Sequence, residues 1–273
     1  MMSPRRRGAS LNTVQSAAFI SDIHGNRLAL EAVLADIAGR RDIEATYCLG
    51  DLVGYGPDSN GVIDLIAAAG IPSLLGNYDD GVGRDAGDCG CYYATADAAR
   101  LGAASYAFTA AVVTPERKAF LRGLPRELHI RVGAARVHLV HGSPRRINEY
   151  LMSDRDERTF RRLAQAEADD ALVFGHTHQQ WHRAYDGVLF VATGSVGRPK
   201  DGDPRAMYTV LRAVPGGVAL EAAHRSAALP GHAPAFELEV EALRVAYDVE
   251  ANALAVAAAG LPAELADSFR RGA

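Results

Sequence analysis

Five short apolar runs in this chain end on residues that can ligate a metal. Ala17-Ala18-Phe19-Ile20 leads into Ser21-Asp22-Ile23-His24-Gly25-Asn26, and Tyr47-Cys48-Leu49 leads into Gly50-Asp51. Leu74-Leu75 leads into Gly76-Asn77, His138-Leu139-Val140 into His141-Gly142, and Leu172-Val173-Phe174 into Gly175-His176-Thr177-His178. Imidazole and carboxylate groups suit Mn, Fe, Zn, Ni or Co, and their types alone do not choose among these ions. Asp22 and His24 are two apart, as are His176 and His178, a spacing that turns both members of a pair to one side of an extended chain. Ligands of open α/β sheets bind beyond the carboxyl ends of the strands. If these runs are neighbouring strands, they deliver two Asp, four His and one Asn to one place. Seven such groups exceed the needs of one ion that must keep an open position. They suit two divalent ions that share one carboxylate.

Other chemistries find less support. No Gly-x-Ser-x-Gly occurs, which argues against an α/β-hydrolase nucleophile. Gly81-Val82-Gly83-Arg84-Asp85-Ala86 spells a dinucleotide fingerprint, but no strand ends at it and no clear helix starts after it. The cysteines are Cys48, Cys89 and Cys91, an odd and low count that makes no disulfide framework and points to a reducing, cytoplasmic setting. Cys89-Gly90-Cys91 lacks the second pair that a structural zinc site demands, so it reads as packing. His129, His138, His182, His224 and His232 sit in no ligand cluster and read as structural or surface residues. His182 is the exception, because it follows His178 closely enough to reach a substrate. Arg145, Arg146, Arg198, Lys200 and Arg205 follow two site-facing loops. Arg198 stands next to Gly194-Ser195-Val196-Gly197, whose backbone N–H groups would suit a phosphate, and it is the first choice for a substrate contact.

Taken together and in this order, Asp-Ile-His-Gly-Asn (22–26), Gly-Asp (50–51), Gly-Asn (76–77), His-Gly (141–142) and Gly-His-Thr-His (175–178) resemble the calcineurin-like metallophosphoesterase family. The resemblance implies an α/β fold, an αββα sandwich of two mixed sheets flanked by helices. It implies that Asp22, His24 and His178 hold one metal, that Asn77, His141 and His176 hold a second, and that Asp51 bridges both. It also implies hydrolysis of P–O bonds by a metal-bridging hydroxide. Gly50 to Pro57, His141 to Pro144 and Gly194 to Gly197 are similar to a small bacterial branch of stand-alone phosphodiesterases, which favours a small phosphodiester such as a nucleotide as substrate. The third family motif usually reads Gly-Asn-His-Asp, and its His is the presumed donor of a proton to the leaving group. Here Tyr78 stands at that place. Tyrosine is a weaker acid than imidazolium, so the expected enzyme depends on good leaving groups. A metal-binding scaffold or regulatory protein with the same fold and little catalysis is the alternative.

The elements that must position these residues follow from the apolar pattern. Short β-prone runs at 16–20, 46–49, 73–75, 171–174, 188–192 and 207–211 alternate with helical patterns at 28–37, 62–69 and 156–167. That alternation implies a layered α/β fold with a buried sheet. Residues 128–132 and 136–140 read as a hairpin across Gly133-Ala134-Ala135. Residues 79–124 read as a helical cap or insertion, opening on a Gly- and Asp-rich loop at 81–90. Residues 218–222 read as a further strand. The expected organisation is a basic tail at 1–14, a phosphoesterase domain at 15–230 and a C-terminal helical appendage at 231–273. The 273 residues carry 29 basic and 33 acidic groups, a net charge of −4. No global positive field exists to hold a polyanion, so nucleic acid is not indicated as a partner. No run approaches the roughly 18–20 apolar residues of a membrane span.

Overall fold

The computed structural model describes residues 13–215 and 236–273. In chain order the elements are β1 (Thr13–Val14), β2 (Ser16–Ile20), α1 (Arg27–Gly39), β3 (Ala45–Cys48), α2 (Ser59–Ala68), α3 (Asn77–Gly83), α4 (Ala96–Val112) and α5 (Pro115–Arg122). There follow β4 (Glu127–Val132), β5 (Ala135–Val140), α6 (Glu157–Ala166), β6 (Ala171–Phe174), β7 (Gln180–Tyr185) and β8 (Val188–Thr193). The chain closes with β9 (Ala206–Pro215), β10 (Phe236–Val245), α7 (Val249–Ala258) and α8 (Ala263–Arg271).

The strands form two mixed sheets, one of six strands in the order β1-β4-β5-β6-β8-β7 and one of four in the order β10-β9-β2-β3. Period-two alternation divides the apolar residues between three clusters. Ala17, Phe19, Leu49, Val137, Leu139, Val173, Val191 and Leu211 pack between the sheets. Ala18, Ile20, Val210 and Tyr208 face the opposite way and pack with Leu30 and Val33 of α1, Ile66 of α2 and Phe269 of α8. Leu172, Phe174 and Phe190 cover the outer face of the larger sheet together with Phe160 and Leu163 of α6. The result is the expected αββα sandwich. β2 and β3 run parallel, and so do β5, β6 and β8.

The boundaries differ from the expected ones in three places. Thr13 and Val14 do not belong to a tail, because they pair in parallel with Arg131 and Val132. The Gly- and Asp-rich segment begins as helix α3, whose first turn is capped by Asp79 accepting from the Gly76 N–H at 3.0 Å. The C-terminal region is not all helical, and it is tied into the sandwich. β10 pairs with β9 along ten positions, and Ala253, Val256, Leu265 and Phe269 join the core of the α1 and α2 side. Charged residues alternate along β10 and hide a strand whose apolar face is narrow. The expected strand at 218–222, the connection at 230–234, His224 and His232 lie outside the described residues.

Candidate metal centre

β2, β3, β5 and β6 all end at the same edge of the sandwich, and the chain leaves each of them through a ligating residue. Hydrogen bonds sew these exits together. The Asp22 N–H donates to Gly50 O at 3.0 Å, His24 N–H to Asp51 O at 3.0 Å, and Gly175 N–H to His141 O at 2.9 Å. Five of the expected ligands adopt left-handed backbone: Asp22 (φ 53°), His24 (φ 51°), Asp51 (φ 55°), His176 (φ 64°) and His178 (φ 57°). Each such residue costs on the order of 1–3 kcal/mol and persists only where its surroundings over-determine it. Gly76 shows how tight the place is. A Cβ there would lie 2.1 Å from both the backbone nitrogen and Oδ1 of Asp51.

The side chains gather into two groups. Asp22, His24 and His178 each present a ligand atom, all within 4.8 Å of one another, and so do Asp51, His141 and His176. Asn77 joins the second group, with Oδ1 3.1 Å from Nε2 of His141. Asp51 links the groups. Its Oδ1 accepts from the Tyr78 N–H at 2.8 Å, while Oδ2 lies 3.7 Å from Nε2 of His24 and 3.5 Å from Nε2 of His141. All seven residues are at most 4% exposed. The seven positions expected from sequence therefore converge.

The hydrogen-bond pattern shows that this set fits cations. Nδ1 of His24, His141 and His178 faces the backbone oxygens of Val53 (2.9 Å), Leu49 (2.8 Å) and Arg198 (2.6 Å). A carbonyl can only accept, so each Nδ1 carries a proton, and in the neutral rings of His24 and His178 Nε2 turns a lone pair inward. Nε2 of His24 and Nε2 of His178 then face each other at 3.1 Å with no proton between them. Asn77 repeats the pattern. Its amide nitrogen donates to Cys89 O at 2.9 Å, which aims Oδ1 at His141. Asp22 Oδ1 and His176 Nε2 are buried without any partner. Lone pairs held face to face need a positive charge between them. Ligands about 2.0–2.2 Å from a common ion sit roughly 3–4 Å from one another, which is the spacing seen.

The electrostatics agree. Burial lowers His24 to about 4 and His176 to about 3, and it carries His178 well below its ordinary value. These rings are neutral at pH 7 and ready to ligate. Burial raises Asp22 to about 6. Burial also works against charge on His141, yet the Asp51 carboxylate, with Asp22 behind it, outweighs it and lifts His141 to about 9. At pH 7 the His141 ring therefore carries a proton on both nitrogens, beside the Asp51 carboxylate.

At the rim, the structure places Tyr78, the 194–197 loop and His182 as follows. Tyr78 does not aim its hydroxyl at the centre. The ring is 1% exposed, lies against His24 and Tyr55, and its hydroxyl donates to Ser105 Oγ at 3.3 Å. Two of the four N–H groups of the 194–197 loop are already engaged, since Val196 and Gly197 donate to Ser21 O and Asp22 O, and the following Arg198 N–H donates to Ser195 Oγ. His182 is an exposed residue of the edge strand β7, and no hydrogen bond or ion pair joins its ring to the centre. Arg198 remains well placed. Its guanidinium stacks on Tyr55 at 4.1 Å, and its Nε is buried without a partner.

Three further residues belong to the site. Asp79, which directly follows Tyr78, accepts from the backbone N–H groups of Asp51, Leu52, Val53 and Gly76 and so fixes the loop that carries Asp51. Its place at the third residue of a helix was the available signal. Cys91 puts Sγ 3.1 Å from the Asn77 amide nitrogen, and Tyr150 packs its ring 4.0 Å from that of His176. No spacing in the sequence announces either contact.

A profile of the calcineurin-like phosphoesterase superfamily domain matches residues 16–214, and the chain belongs to that family. An uncharacterized protein of Methanocaldococcus jannaschii is 33% identical over 212 residues, covering 71% of this chain and 81% of the relative. Among solved structures, a metallophosphoesterase from Sphaerobacter thermophilus is 27% identical, with a TM-score of 0.69 over 95% of this chain and all of that one. A hypothetical protein from Pyrococcus horikoshii shares the fold at 20% identity, with a TM-score of 0.74 over 94% of this chain and 98% of the other. The family supports a phosphoesterase hydrolase, and the residue clusters suggest a dinuclear divalent metal site.

Proposed function

We propose that the chain is a two-metal phosphodiesterase acting on a small phosphodiester such as a nucleotide. The observation that supports this most is the position of Asp51 Oδ2 between two groups of inward-facing lone pairs. Asp22, His24, His178 and Asp51 would hold one divalent ion, and Asn77, His141, His176 and Asp51 the other. Bound there, Mn, Fe, Zn, Ni or Co ions supply Lewis acidity toward a phosphoryl oxygen and lower the pKa of bound water.

The chain's own residues do the rest. Backbone carbonyls orient three imidazoles and hold the neutral rings of His24 and His178 in one tautomer, so those lone pairs need no reorganisation. Arg198 orients a phosphate charge from the stack on Tyr55. Lys200 is a second cation near by, brought down to about 8 by burial and by Arg198. Asn77 is held by Cys89 and Cys91, which couples the 84–95 loop to the substrate side of the centre. With the Tyr78 hydroxyl engaged by Ser105, no acid is supplied from that position, and turnover should favour good leaving groups. This supports activated diesters over alkyl monoesters.

The test is a screen of bis-p-nitrophenyl phosphate against p-nitrophenyl phosphate across the five ions. Faster diester turnover that requires added metal supports the proposal. Equal or faster monoester turnover overturns the diester preference. The Tyr78 geometry also favours a second reading, a metal-binding scaffold with little catalysis. Metal bound without turnover under every ion would establish that reading instead.

A further inference from the structure

Away from the centre, β4 and β5 carry a second convergence of ligands. His129 of β4 and His138 of β5 are directly opposite in the antiparallel register, and their rings stack at 4.3 Å. The alternation that turns Ile130, Val137 and Leu139 between the sheets turns both histidines to the outer face. Glu127 lies two residues before His129 on that same face. A ring nitrogen of each histidine and a carboxylate oxygen of Glu127 lie within 4.8 Å of one another.

Each histidine is oriented from behind. Nδ1 of His129 bonds Asp169, and Nδ1 of His138 bonds Glu167 at 2.9 Å. Asp169 is 1% exposed and receives the Arg136 guanidinium on its other oxygen. A carboxylate on Nδ1 fixes the tautomer, leaves the Nε2 lone pair outward and makes it more basic, the usual support of a metal-ligating histidine. Nε2 of His138 lies 3.2 Å from Glu127. Three carboxylates and one guanidinium surround two imidazoles here, so with neutral rings the pocket carries two uncompensated negative charges. Glu167 also caps the C-terminus of α6, whose last turn holds no basic residue. That end of the helix favours a cation.

We propose that Glu127 and the Nε2 atoms of His129 and His138 form a separate divalent-cation site for a borderline transition ion such as Zn²⁺. Asp169 and Glu167 are its orienting partners. Three protein ligands leave at least one position for water. The bound ion would join the β4–β5 hairpin to the loop between α6 and β6. The competing arrangement is a metal-free ion network in which His138 is protonated between Glu127 and Glu167.

The experiment counts Zn²⁺ per chain after equilibrium dialysis of the full-length protein and of Glu127→Gln, His129→Gln and the double variant. The difference between parent and variants is the readout, so it does not depend on how many ions the main centre holds. The expected result is one equivalent fewer in the double variant, with the affinity for that equivalent at least tenfold weaker in each single variant. Asp169→Asn should weaken it about 10–100-fold, the range for lost orienting partners. Hydrolysis of bis-p-nitrophenyl phosphate by the manganese-loaded protein should stay within about twofold of the parent in the Glu127 and His129 variants. Glu127 is more than half exposed, so its exchange for Gln keeps the test open if a histidine variant folds poorly. Equal Zn²⁺ content and affinity in the parent and in the folded variants would overturn the site and leave the ion network.

Discussion

The two histidine clusters of this protein hold their rings by opposite means. In the centre, backbone carbonyls of Val53, Leu49 and Arg198 receive the Nδ1 protons, the groups are buried, and five ligands sit in left-handed backbone. On the outer face of the larger sheet, carboxylates of Asp169 and Glu167 take that role, the strands are regular, and His129 is 43% exposed. A carbonyl is neutral and fixed by the fold, so ring placement in the centre is inseparable from the tertiary structure. A carboxylate adds charge, and burial is outweighed at His138, which Glu167 and Glu127 raise above its ordinary value. The first design is preorganised and strained. The second rests on strand register for its ring pairing and on the α6–β6 loop for its carboxylates.

Asp51→Asn should break the centre most severely. Losing the shared charge should reduce metal-dependent phosphodiester hydrolysis on the order of 10³-fold, by analogy with lost electrostatic groups in other active sites. It should also lower metal content, measured by elemental analysis, without touching the Zn²⁺ equivalent on the sheet face. Full turnover with full metal content would refute the bridging role.

Asp79→Ala comes next. It strips four backbone N–H groups of their acceptor in a buried loop, and each such loss costs about 1–3 kcal/mol. Denaturant unfolding of the metal-free protein should register at least about 3 kcal/mol. A smaller change would mean that water reaches the loop.

The protons sharpen the comparison. His141 is protonated at pH 7 in the metal-free chain, because its pKa is raised to about 9, and it must be neutral to ligate. Metal binding should therefore release about one proton there, and affinity should rise about tenfold per pH unit from 7 until it flattens near 9. Below about pH 6 the fall should steepen, as Asp22 also takes a proton. Calorimetric titration in buffers of different ionisation enthalpy reads the proton count. No proton release at pH 7 would contradict the Asp51–His141 coupling.

The smallest effects belong to Tyr78 and His182. Tyr78→Phe should cost about 1 kcal/mol through the lost bond to Ser105 and leave the dependence of rate on leaving-group pKa unchanged. A steeper dependence in the variant would return the hydroxyl to catalysis. His182→Ala should leave kcat/KM within about twofold, and a larger loss would place the edge strand β7 in substrate binding.

The metal-ligand set is legible in the chain because its signal is local. Each candidate ligand follows an apolar run within four residues, and strands of a layered sheet end at a common edge. The four-stranded sheet is harder to read. β10 shows alternating charges because one face of it meets solvent, so its pairing partner β9 is found only in space. Tyr78 shows the same limit at a single residue. Its place in the motif is a property of sequence, but the direction of its hydroxyl is set by Ser105, which lies 27 residues away on α4.

The sequence by itself determined the chemistry: which residue types can ligate, in what order, and at the ends of which strands. It also determined the alternation that divides three apolar clusters between two sheets. Only the tertiary structure decided which oxygen of Asp51 is shared, which way each imidazole turns its lone pair, and that His129 and His138 stand together. Ligand identity is carried by covalent side chains, which sequence states directly. Lone-pair direction and cross-strand neighbours depend on hydrogen bonds between residues far apart in sequence, 92 positions for His141 and Leu49, and those exist only once the sheets have closed.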